Sequence, residues 1–323
     1  MGSPSHWSCV HLLLPFQISL SISESEDKDI SHVHITSGRI YSTELPQRRL
    51  PDALVVGAGK CGTDALITYL NTSKSFAINT IYSGDMHELN FFNNHFDQGI
   101  QWYIDQMPPV SSSQVSIEKC APYMWNPQVP ARVHQTKQDM KIIMVLCDPV
   151  KRLVSLYSHI NSYKLADGSD PLPPFSDIIQ LKDGKLIENV HPRPSQPFLE
   201  SGKYSVFVSQ WLEFFPLEQM IFISGEDLIT QPLVEINKVT DFLGKSGSVT
   251  DRNVYYDKGR GYYCFESDNS KWCMDKSTKG RAHPELSPQL LSSLQNHFQP
   301  YNKKLEELIG KNFGWPKYFG KKS

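Results

Sequence analysis

The chain of 323 residues is long enough for one large α/β domain or two small ones, by the rule of roughly 150 residues per domain. Its 39% hydrophobic and 20% charged residues are typical of a folded globular protein, which excludes disordered, collagen-like and coiled-coil classes. The net charge of −2 argues against a generic polyanion or nucleic-acid binder, although 13 basic against 7 acidic residues from Arg252 onward favour the C-terminal part for any polyanion site.

The first fifty residues predict a flexible tail or stem, because Ser and acidic clusters occur there without a sustained apolar period. Their most apolar stretch, residues 9–22, is shorter than the ~20 residues that a membrane-spanning helix needs. It has no basic residue ahead of it and contains Pro15, so support for a signal peptide or a trimmed signal anchor is weak. We therefore expect a membrane anchor to be missing or marginal.

Short apolar runs bounded by polar residues predict buried strands of a parallel sheet, with helices between them. Pro149 suits the first turn of a helix, and Asp148 before it is placed to cap the exposed N–H groups. The alternation predicts a single doubly wound α/β domain over 51–318, followed by a short tail at 319–323. The predicted strands are 53–57, 115–118, 141–146 and 220–224, and the predicted helices are 65–70, 149–157, 204–214, 233–242 and 288–308.

The turn between the first strand and the first helix is rich in glycine. Gly57, Gly59 and Gly62 allow close approach of a ligand, and Lys60 and Thr63 add a positive charge and a hydroxyl group. Such a turn directs backbone N–H groups and the positive end of a helix at one spot, which suits an anion. The lysine precedes the last glycine, which is not the Walker A order, so a nucleoside triphosphatase is disfavoured. An ordinary tight turn explains the glycines alone almost as well.

The six cysteines are too few for a disulfide-built scaffold of this length. Cys264 and Cys273 flank a short polar segment, 265–272, that is typical of a hairpin turn, and this pair is able to form a bridge. The other four have no metal-ligand spacing with histidines, so we expect small buried thiols and no metal site. These four are Cys9, Cys61, Cys120 and Cys147.

From Pro51 onward the sequence carries a series of short motifs in a fixed order. These motifs are Gly59-Lys60-Cys61-Gly62-Thr63, Glu88-Leu-Asn-Phe-Phe92, Gly99-Ile-Gln-Trp-Tyr103, Ile117-Glu-Lys119, Asp148-Pro149, Ser155-Leu-Tyr157, Gly261-Tyr-Tyr-Cys264 and Lys279-Gly-Arg-Ala-His-Pro284. Together they resemble the Golgi heparan sulfate glucosaminyl sulfotransferases, which transfer a sulfuryl group from 3′-phosphoadenosine 5′-phosphosulfate (PAPS). The resemblance implies the P-loop-like fold of the PAPS-dependent sulfotransferases, an enzyme without a metal, and a heparan sulfate oligosaccharide as partner.

The resemblance also implies which residues bind PAPS. In the family the glycine loop holds the 5′-phosphosulfate, and Lys60 neutralises charge on the leaving phosphate. Ser155 and the Lys279-Gly280-Arg281 turn fall on the 3′-phosphate site, and Tyr263 falls on the aromatic contact to the nucleotide. The loop residues implied in cofactor binding are Lys60, Cys61, Gly62, Thr63 and Asp64.

The acceptor hydroxyl or amine must lose a proton as the new bond forms, so a carboxylate near the sulfur is the natural general base. Glu88 occupies the base position of the family, and Lys119 falls on a lysine that family members place in the cleft. His159 lies four residues after Ser155 on the predicted helix, and therefore on the same face. It is either a second proton-transfer group or a histidine satisfied in the fold, and the sequence leaves both open.

Some positions depart from the 3-O-sulfotransferase pattern. Cys147 stands where those enzymes carry an arginine, Asp64 replaces another arginine, and Asn90 and Asn93 replace histidine and aspartate. The N-sulfotransferase branch has amides near its Phe-Phe pair and a functional histidine at the position of His159. The stand-alone architecture and the C-terminal motifs favour 3-O-sulfation, with N-sulfation as the alternative. A catalytically weak heparan-binding homologue is the third hypothesis.

The resemblance implies a Golgi-lumenal protein that is membrane-anchored or secreted, and we expect a monomer. A Cys264–Cys273 bridge would agree with an oxidising compartment. Asn71-Thr72-Ser73 is a glycosylation sequon, but it ends a predicted helix, so its use stays open.

Overall fold

The computed structural model describes five segments in full and two short segments by their backbone alone. The full segments are 45–79, 88–189, 197–268, 270–274 and 283–316, and the backbone segments are 33–36 and 39–42. The chain divides into two compact units, Met1–Leu45 and Pro46–Ser323. In the first unit, strand β1 (Val33–Thr36) pairs antiparallel with strand β2 (Arg39–Ser42).

Two segments named in the sequence analysis, the apolar stretch 9–22 and the tail 319–323, lie outside the described residues. Among the helices that the structure does describe, none combines the length and the apolar character needed to cross a membrane. The domain bounds 51–318 stay a prediction.

The second unit is built on a five-stranded parallel sheet. From one edge to the other, its strands are β11 (Met220–Ser224), β8 (Lys141–Leu146), β4 (Ala53–Gly57), β7 (Val115–Lys119) and β5 (Phe76–Ile78). The four predicted buried strands are all present, and β4 is buried at every position. The fifth strand, β5, has only three residues, too few for an apolar run to stand out in the sequence. The strands of this unit are β3 Gln47–Arg48, β4 Ala53–Gly57, β5 Phe76–Ile78, β6 Pro109–Val110, β7 Val115–Lys119, β8 Lys141–Leu146, β9 Ile179–Lys182, β10 Lys185–Glu188, β11 Met220–Ser224, β12 Val254–Asp257, β13 Tyr262–Ser267 and β14 Ser270–Trp272.

The helices connect the strands, as the doubly wound prediction requires. Asp148 caps the longest connecting helix, since its carboxylate accepts the Val150 N–H at 2.8 Å, and Pro149 occupies the first turn. Ser287 caps the C-terminal helix in the same way by accepting the Leu290 N–H at 3.2 Å. The helices are α1 Thr63–Leu70, α2 Gly99–Gln106, α3 Val129–Thr136, α4 Pro149–Ala166, α5 Phe175–Ile178, α6 Tyr204–Leu212, α7 Gly225–Thr230, α8 Pro232–Phe242 and α9 Pro288–Ile309.

Two clusters of buried apolar side chains pack the helices against the sheet and against one another. The larger cluster contains the strands of the parallel sheet and the inner sides of helices such as α1, α6 and α8. The smaller one joins α4 to α9 through residues such as Leu153 and Leu294, both fully buried. One side of helix α4 therefore packs in this smaller cluster, and another side faces the carboxyl edge of the sheet.

Parallel pairing brings the carboxyl ends of neighbouring strands to one edge. Val55 of β4 pairs with Lys119, the last residue of β7, and Gly57 at the end of β4 pairs with Met144 of β8. The glycine loop, Lys119 and the start of α4 consequently meet at this edge of the sheet. Ligands of open parallel sheets bind at this edge, which predicts a ligand-binding site there.

Candidate active site

The glycine loop leaves β4 and enters α1 through positions that require glycine. A Cβ atom on Gly57 would lie 2.7 Å from the Cβ of Met124, so no larger residue fits there. Gly62 has a φ of 106° and is the N-cap of α1, where no side chain caps the helix. The N–H groups of the first turn have no acceptor within the helix. The loop is therefore built to receive an anion.

A cavity of about 630 Å³ opens beside this loop. Tyr263 does not line it and instead contacts Tyr256, with ring centroids 5.1 Å apart, whereas Phe265 two residues later does line it. Lys279, Gly280 and Arg281 lie outside the described residues, and His283 of the same motif lines the cavity. The structure brings the other predicted site residues to this cavity: Lys60, Cys61, Gly62, Thr63, Asp64, Glu88, Lys119, Ser155 and His159.

Lys119 joins two carboxylates in the cavity wall. Its Nζ lies 3.0 Å from Oε1 of Glu88 and 2.6 Å from Oδ1 of Asp64. Burial lowers the pKa of Lys119, but Asp64 and Glu88 outweigh burial and leave that pKa above its usual value. Lys119 is therefore charged at neutral pH and fixes Glu88 beside the glycine loop.

Glu88 is also held by its own backbone surroundings. Its Oε1 accepts the backbone N–H of Ala121 at 3.0 Å, and its side chain is only 13% exposed. Asn90 has a φ of 54° and donates from Nδ2 to the Glu88 carbonyl at 3.2 Å. The Cys120 thiol donates to Oδ1 of Asn90 at 3.2 Å. Asparagine is one of the few residues that adopt this left-handed conformation readily, so Asn90 has a structural role here.

Glu118, next to Lys119 on β7, is buried between two tyrosines. Its carboxyl accepts hydrogen bonds from the hydroxyls of Tyr103 and Tyr123, and Tyr123 in turn accepts the Phe92 N–H at 3.2 Å. Burial raises the pKa of Glu118 to about 7, against the lowering effect of the two tyrosine bonds. This chain of bonds fixes the turn that follows Glu88, a role that the sequence motifs do not indicate.

The glycine loop is covalently tied to the neighbouring strand. Cys61 and Cys147 form a disulfide, so the expectation that both are small buried thiols is wrong. The loop after β4 and the residue after β8 are neighbours because these strands pair in parallel. Gly225 makes this approach feasible, since a Cβ on it would lie 2.6 Å from the Cys61 carbonyl oxygen. The Tyr204 hydroxyl donates to the Cys147 carbonyl at 3.0 Å and supports the same junction.

The other cysteine predictions have separate outcomes. Cys264 and Cys273 form the second disulfide across the β13–β14 hairpin, as the sequence allows. Cys120 is a free, buried thiol, which confirms the expectation for that position. Cys9 lies outside the described residues.

Helix α4 contributes one face to the cavity. Arg152, Ser155, Leu156 and His159 follow the spacing i, i+3, i+4, i+7, and all four line the cavity. Ser155 and His159 are among the residues predicted from the sequence, whereas Arg152 is not. The same helical spacing is the signal that could have found it.

Comparison with known proteins defines the class of this site. A family model described as a sulfotransferase domain matches residues 50–311, most of the chain. The chain belongs to the sulfotransferase domain family. This membership confirms the α/β fold class and the prediction of a sulfotransferase domain.

The relatives and a solved structure agree with this assignment. Heparan sulfate glucosamine 3-O-sulfotransferase 3B1 from Mus musculus is 32% identical over 272 residues, which cover 83% of this chain and 65% of the relative. Heparan sulfate glucosamine 3-O-sulfotransferase 6 from Mus musculus is 31% identical, covering 87% of this chain and 80% of the relative. A sulfotransferase from Alicyclobacillus acidocaldarius superposes with a TM-score of 0.59 at 22% identity, covering 82% of this chain and 97% of that one, which supports the fold.

The disulfide at the glycine loop predicts a measurable loss of stability when it is removed. Replacing both Cys61 and Cys147 with alanine should lower the free energy of unfolding by about 4.5 kcal/mol. The reason is that the bridge restricts the unfolded chain by closing a loop between residues that are 86 positions apart in sequence. The matched control removes Cys264 and Cys273, which are 9 residues apart, and should cost about 2.5 kcal/mol. Guanidinium unfolding without reductant measures both, and an equal or smaller loss for the Cys61–Cys147 pair would contradict the prediction.

The raised pKa of the Glu118 carboxyl predicts that the free energy of unfolding depends on pH. In the folded state the Glu118 carboxyl keeps its proton up to pH ~7, whereas in the unfolded chain it loses the proton near pH 4.5. The contribution of this protonated carboxyl to the free energy of unfolding is therefore full below pH 4.5 and is lost as the pH rises through 7. Glu118→Gln cannot lose this proton, so its stability relative to the parent should rise by about 3 kcal/mol from pH 4.5 to pH 8. Urea unfolding across this range tests it, with exposed Glu213→Gln as the control. A pH-independent difference for Glu118→Gln would contradict it.

Proposed function

We propose that this chain transfers a sulfuryl group from PAPS to the 3-hydroxyl of glucosamine units in heparan sulfate. The observation that carries the proposal is the position of Glu88, which Lys119 and the Ala121 N–H hold in the wall of the cavity that the glycine loop also lines. The named relatives that match this chain are 3-O-sulfotransferases, which supports 3-O-sulfation as the reaction. The chain spans 65% of the length of the 3B1 relatives.

The residues at the loop fit the phosphosulfate end of PAPS. The N–H groups at the start of α1 and the ammonium of Lys60 provide donors and positive charge, and the hydroxyl of buried Thr63 lies in the same wall. PAPS supplies a sulfuryl group on a phosphate leaving group. Positive charge at the loop stabilises that phosphate as it leaves, in the way that charge stabilisation and in-line placement act in phosphoryl transfer.

Glu88 takes the proton of the acceptor hydroxyl. Its Oε1 already accepts hydrogen bonds from Lys119 and Ala121, so we assign Oε2 to the acceptor. A positioned carboxylate of this kind contributes roughly 10²- to 10⁴-fold to the rate. His159 lines the same cavity on α4, and we keep it as a second candidate for proton transfer.

The two disulfides agree with a secretory compartment. Disulfides persist in oxidising spaces and are rare in the cytosol. We propose the Golgi lumen, where heparan sulfate is modified, as the place of action. Sulfate-rich heparan chains are polyanions, and the excess of basic residues from Arg252 onward would favour their approach.

The proposed function is tested by incubation with radiolabelled PAPS and a panel of N-sulfated and de-N-sulfated heparan chains, followed by analysis of the labelled disaccharides. Label on the 3-hydroxyl of glucosamine is the expected result. Label on the amine of de-N-sulfated chains would instead establish the N-sulfotransferase alternative. No transfer, together with salt-sensitive heparin binding and no rise in melting temperature with nucleotide, would identify a glycan-binding homologue without activity.

Glu88→Gln tests the assigned base. The amide keeps the size of the side chain and can still accept the Ala121 N–H, but it cannot take a proton. We expect kcat to fall by about 10²- to 10⁴-fold while the dissociation constant of adenosine 3′,5′-bisphosphate changes by less than about threefold. Exposed Glu218→Gln is the control and should keep the parent activity. A kcat for Glu88→Gln within tenfold of the parent would remove Glu88 from this role.

A further inference from the structure

Asp64 places a carboxylate directly after the glycine loop. It is the second residue of α1, its side chain is 62% exposed, and it lines the cavity. A carboxylate in the first turn of a helix stabilises that helix through its dipole, but this one also stands beside a loop that is built to receive an anion. Since it would repel the phosphosulfate of PAPS, binding of the donor does not explain its position.

Asp64 contacts the lysine that holds the proposed base. Its Oδ1 lies 2.6 Å from Nζ of Lys119, and Oε1 of Glu88 lies 3.0 Å from the same nitrogen. The Lys119 side chain is only 10% exposed, so the two carboxylates accept two of the three N–H groups of a nearly buried ammonium. Asp64 therefore helps to fix the direction from which Lys119 approaches Glu88.

The charges in this row of three side chains do not cancel. One ammonium lies between two carboxylates, which leaves an excess of one negative charge. If Lys119 were paired with Glu88 alone, its full charge would stabilise the carboxylate form of Glu88 and make Glu88 a weaker proton acceptor. The negative charge of Asp64 opposes this effect, so a base that is held by a cation keeps its affinity for a proton.

Glu88 has other charged neighbours, and replacing Asp64 with asparagine leaves them in place. Glu118 and the Cys120 thiol interact with it electrostatically from the side of β7. The other charged side chains and histidines in the described cavity wall are Lys60, Lys151, Arg152, His159, Glu226 and His283. A difference between the parent and Asp64→Asn therefore reports the charge of Asp64 itself.

We propose that Asp64 is a positioning residue for sulfuryl transfer, because it shares the Lys119 ammonium with Glu88 and so fixes Lys119 without weakening the base. This inference rests on the proposed function, and it gives a role to a carboxylate that stands where the 3-O-sulfotransferase pattern has an arginine. Asp64 acts through Lys119 and takes no proton itself. The proton of the acceptor hydroxyl moves to Oε2 of Glu88 as the hydroxyl oxygen bonds to sulfur and the phosphate leaves with the electron pair of the broken bond.

The pH dependence of transfer tests the proposal. With saturating PAPS, Asp64→Asn should move the acid limb of kcat/KM for the heparan acceptor about 0.5–1 pH unit lower, because Lys119 then acts on Glu88 alone. On the plateau, kcat should fall about two- to fivefold, since a weaker base takes the proton less readily. Asp64→Glu keeps the charge on a longer side chain and should restore most of the parent profile. Exposed Asp241→Asn on α8 is the matched control and should leave the profile unchanged.

Two measurements without turnover accompany the pH profile. In nucleotide-free protein with ¹³C-labelled glutamate, the Glu88 carboxyl signal is assigned by its absence from the spectrum of Glu88→Gln. This signal should titrate about 0.5–1 pH unit lower in Asp64→Asn than in the parent and should not move in Asp241→Asn. Calorimetry should show that Asp64→Asn binds adenosine 3′,5′-bisphosphate as tightly as the parent or more tightly, because a repelling charge is gone.

Three outcomes would overturn the assignment. An acid limb and a Glu88 titration within about 0.2 pH unit of the parent, with only a lower melting temperature, would make Asp64 a residue of helix stability. Weaker binding of the bisphosphate by Asp64→Asn would make it a donor-binding residue. If the parent transfers no sulfuryl group, the proposed function fails and Asp64 has no base to position, whereas an active parent with an unshifted Asp64→Asn profile removes this assignment alone.

Discussion

The parallel pairing of β4 with both β7 and β8 is the constraint on which the site depends. It brings the glycine loop, the end of β7 at Lys119 and the start of α4 to one edge of the sheet, although they are far apart in sequence. Because side chains alternate along a strand, a shift of one residue in the β4–β7 register would send Lys119 to the opposite face, away from Glu88. The buried strands fix this register through the apolar core.

Charge is arranged differently at the two ends of the cavity. At the loop end, Lys119 is fully paired with Glu88 and Asp64, which gives the base a fixed place. At the α4 end, Arg152 is fully buried and forms no ion pair with a carboxylate among the described residues. The Cys61–Cys147 bridge joins the two ends, so the distance between them is set by covalent structure as well as by packing.

The sequence predicted the long strands and helices well, because an apolar run such as 141–146 and a cap such as Asp148 are local signals. It also identified Glu88 and Lys119, but only through their resemblance to a family. The Cys61–Cys147 bridge was missed because it depends on which strands become neighbours, which no local pattern encodes. Arg152 was missed because a charged residue on a helix is ordinarily solvated, and its burial arises from packing against Trp125, Ser201 and Tyr204.

The central claim is that the glycine loop and Glu88 together define one sulfuryl-transfer site. A crystal structure with adenosine 3′,5′-bisphosphate and a heparan oligosaccharide tests it most directly. The account predicts the 5′-phosphate within about 3 Å of the backbone N–H groups at 62–64, and a glucosamine hydroxyl within hydrogen-bonding distance of Glu88. A nucleotide bound outside this cavity, or an acceptor far from Glu88, would contradict the account.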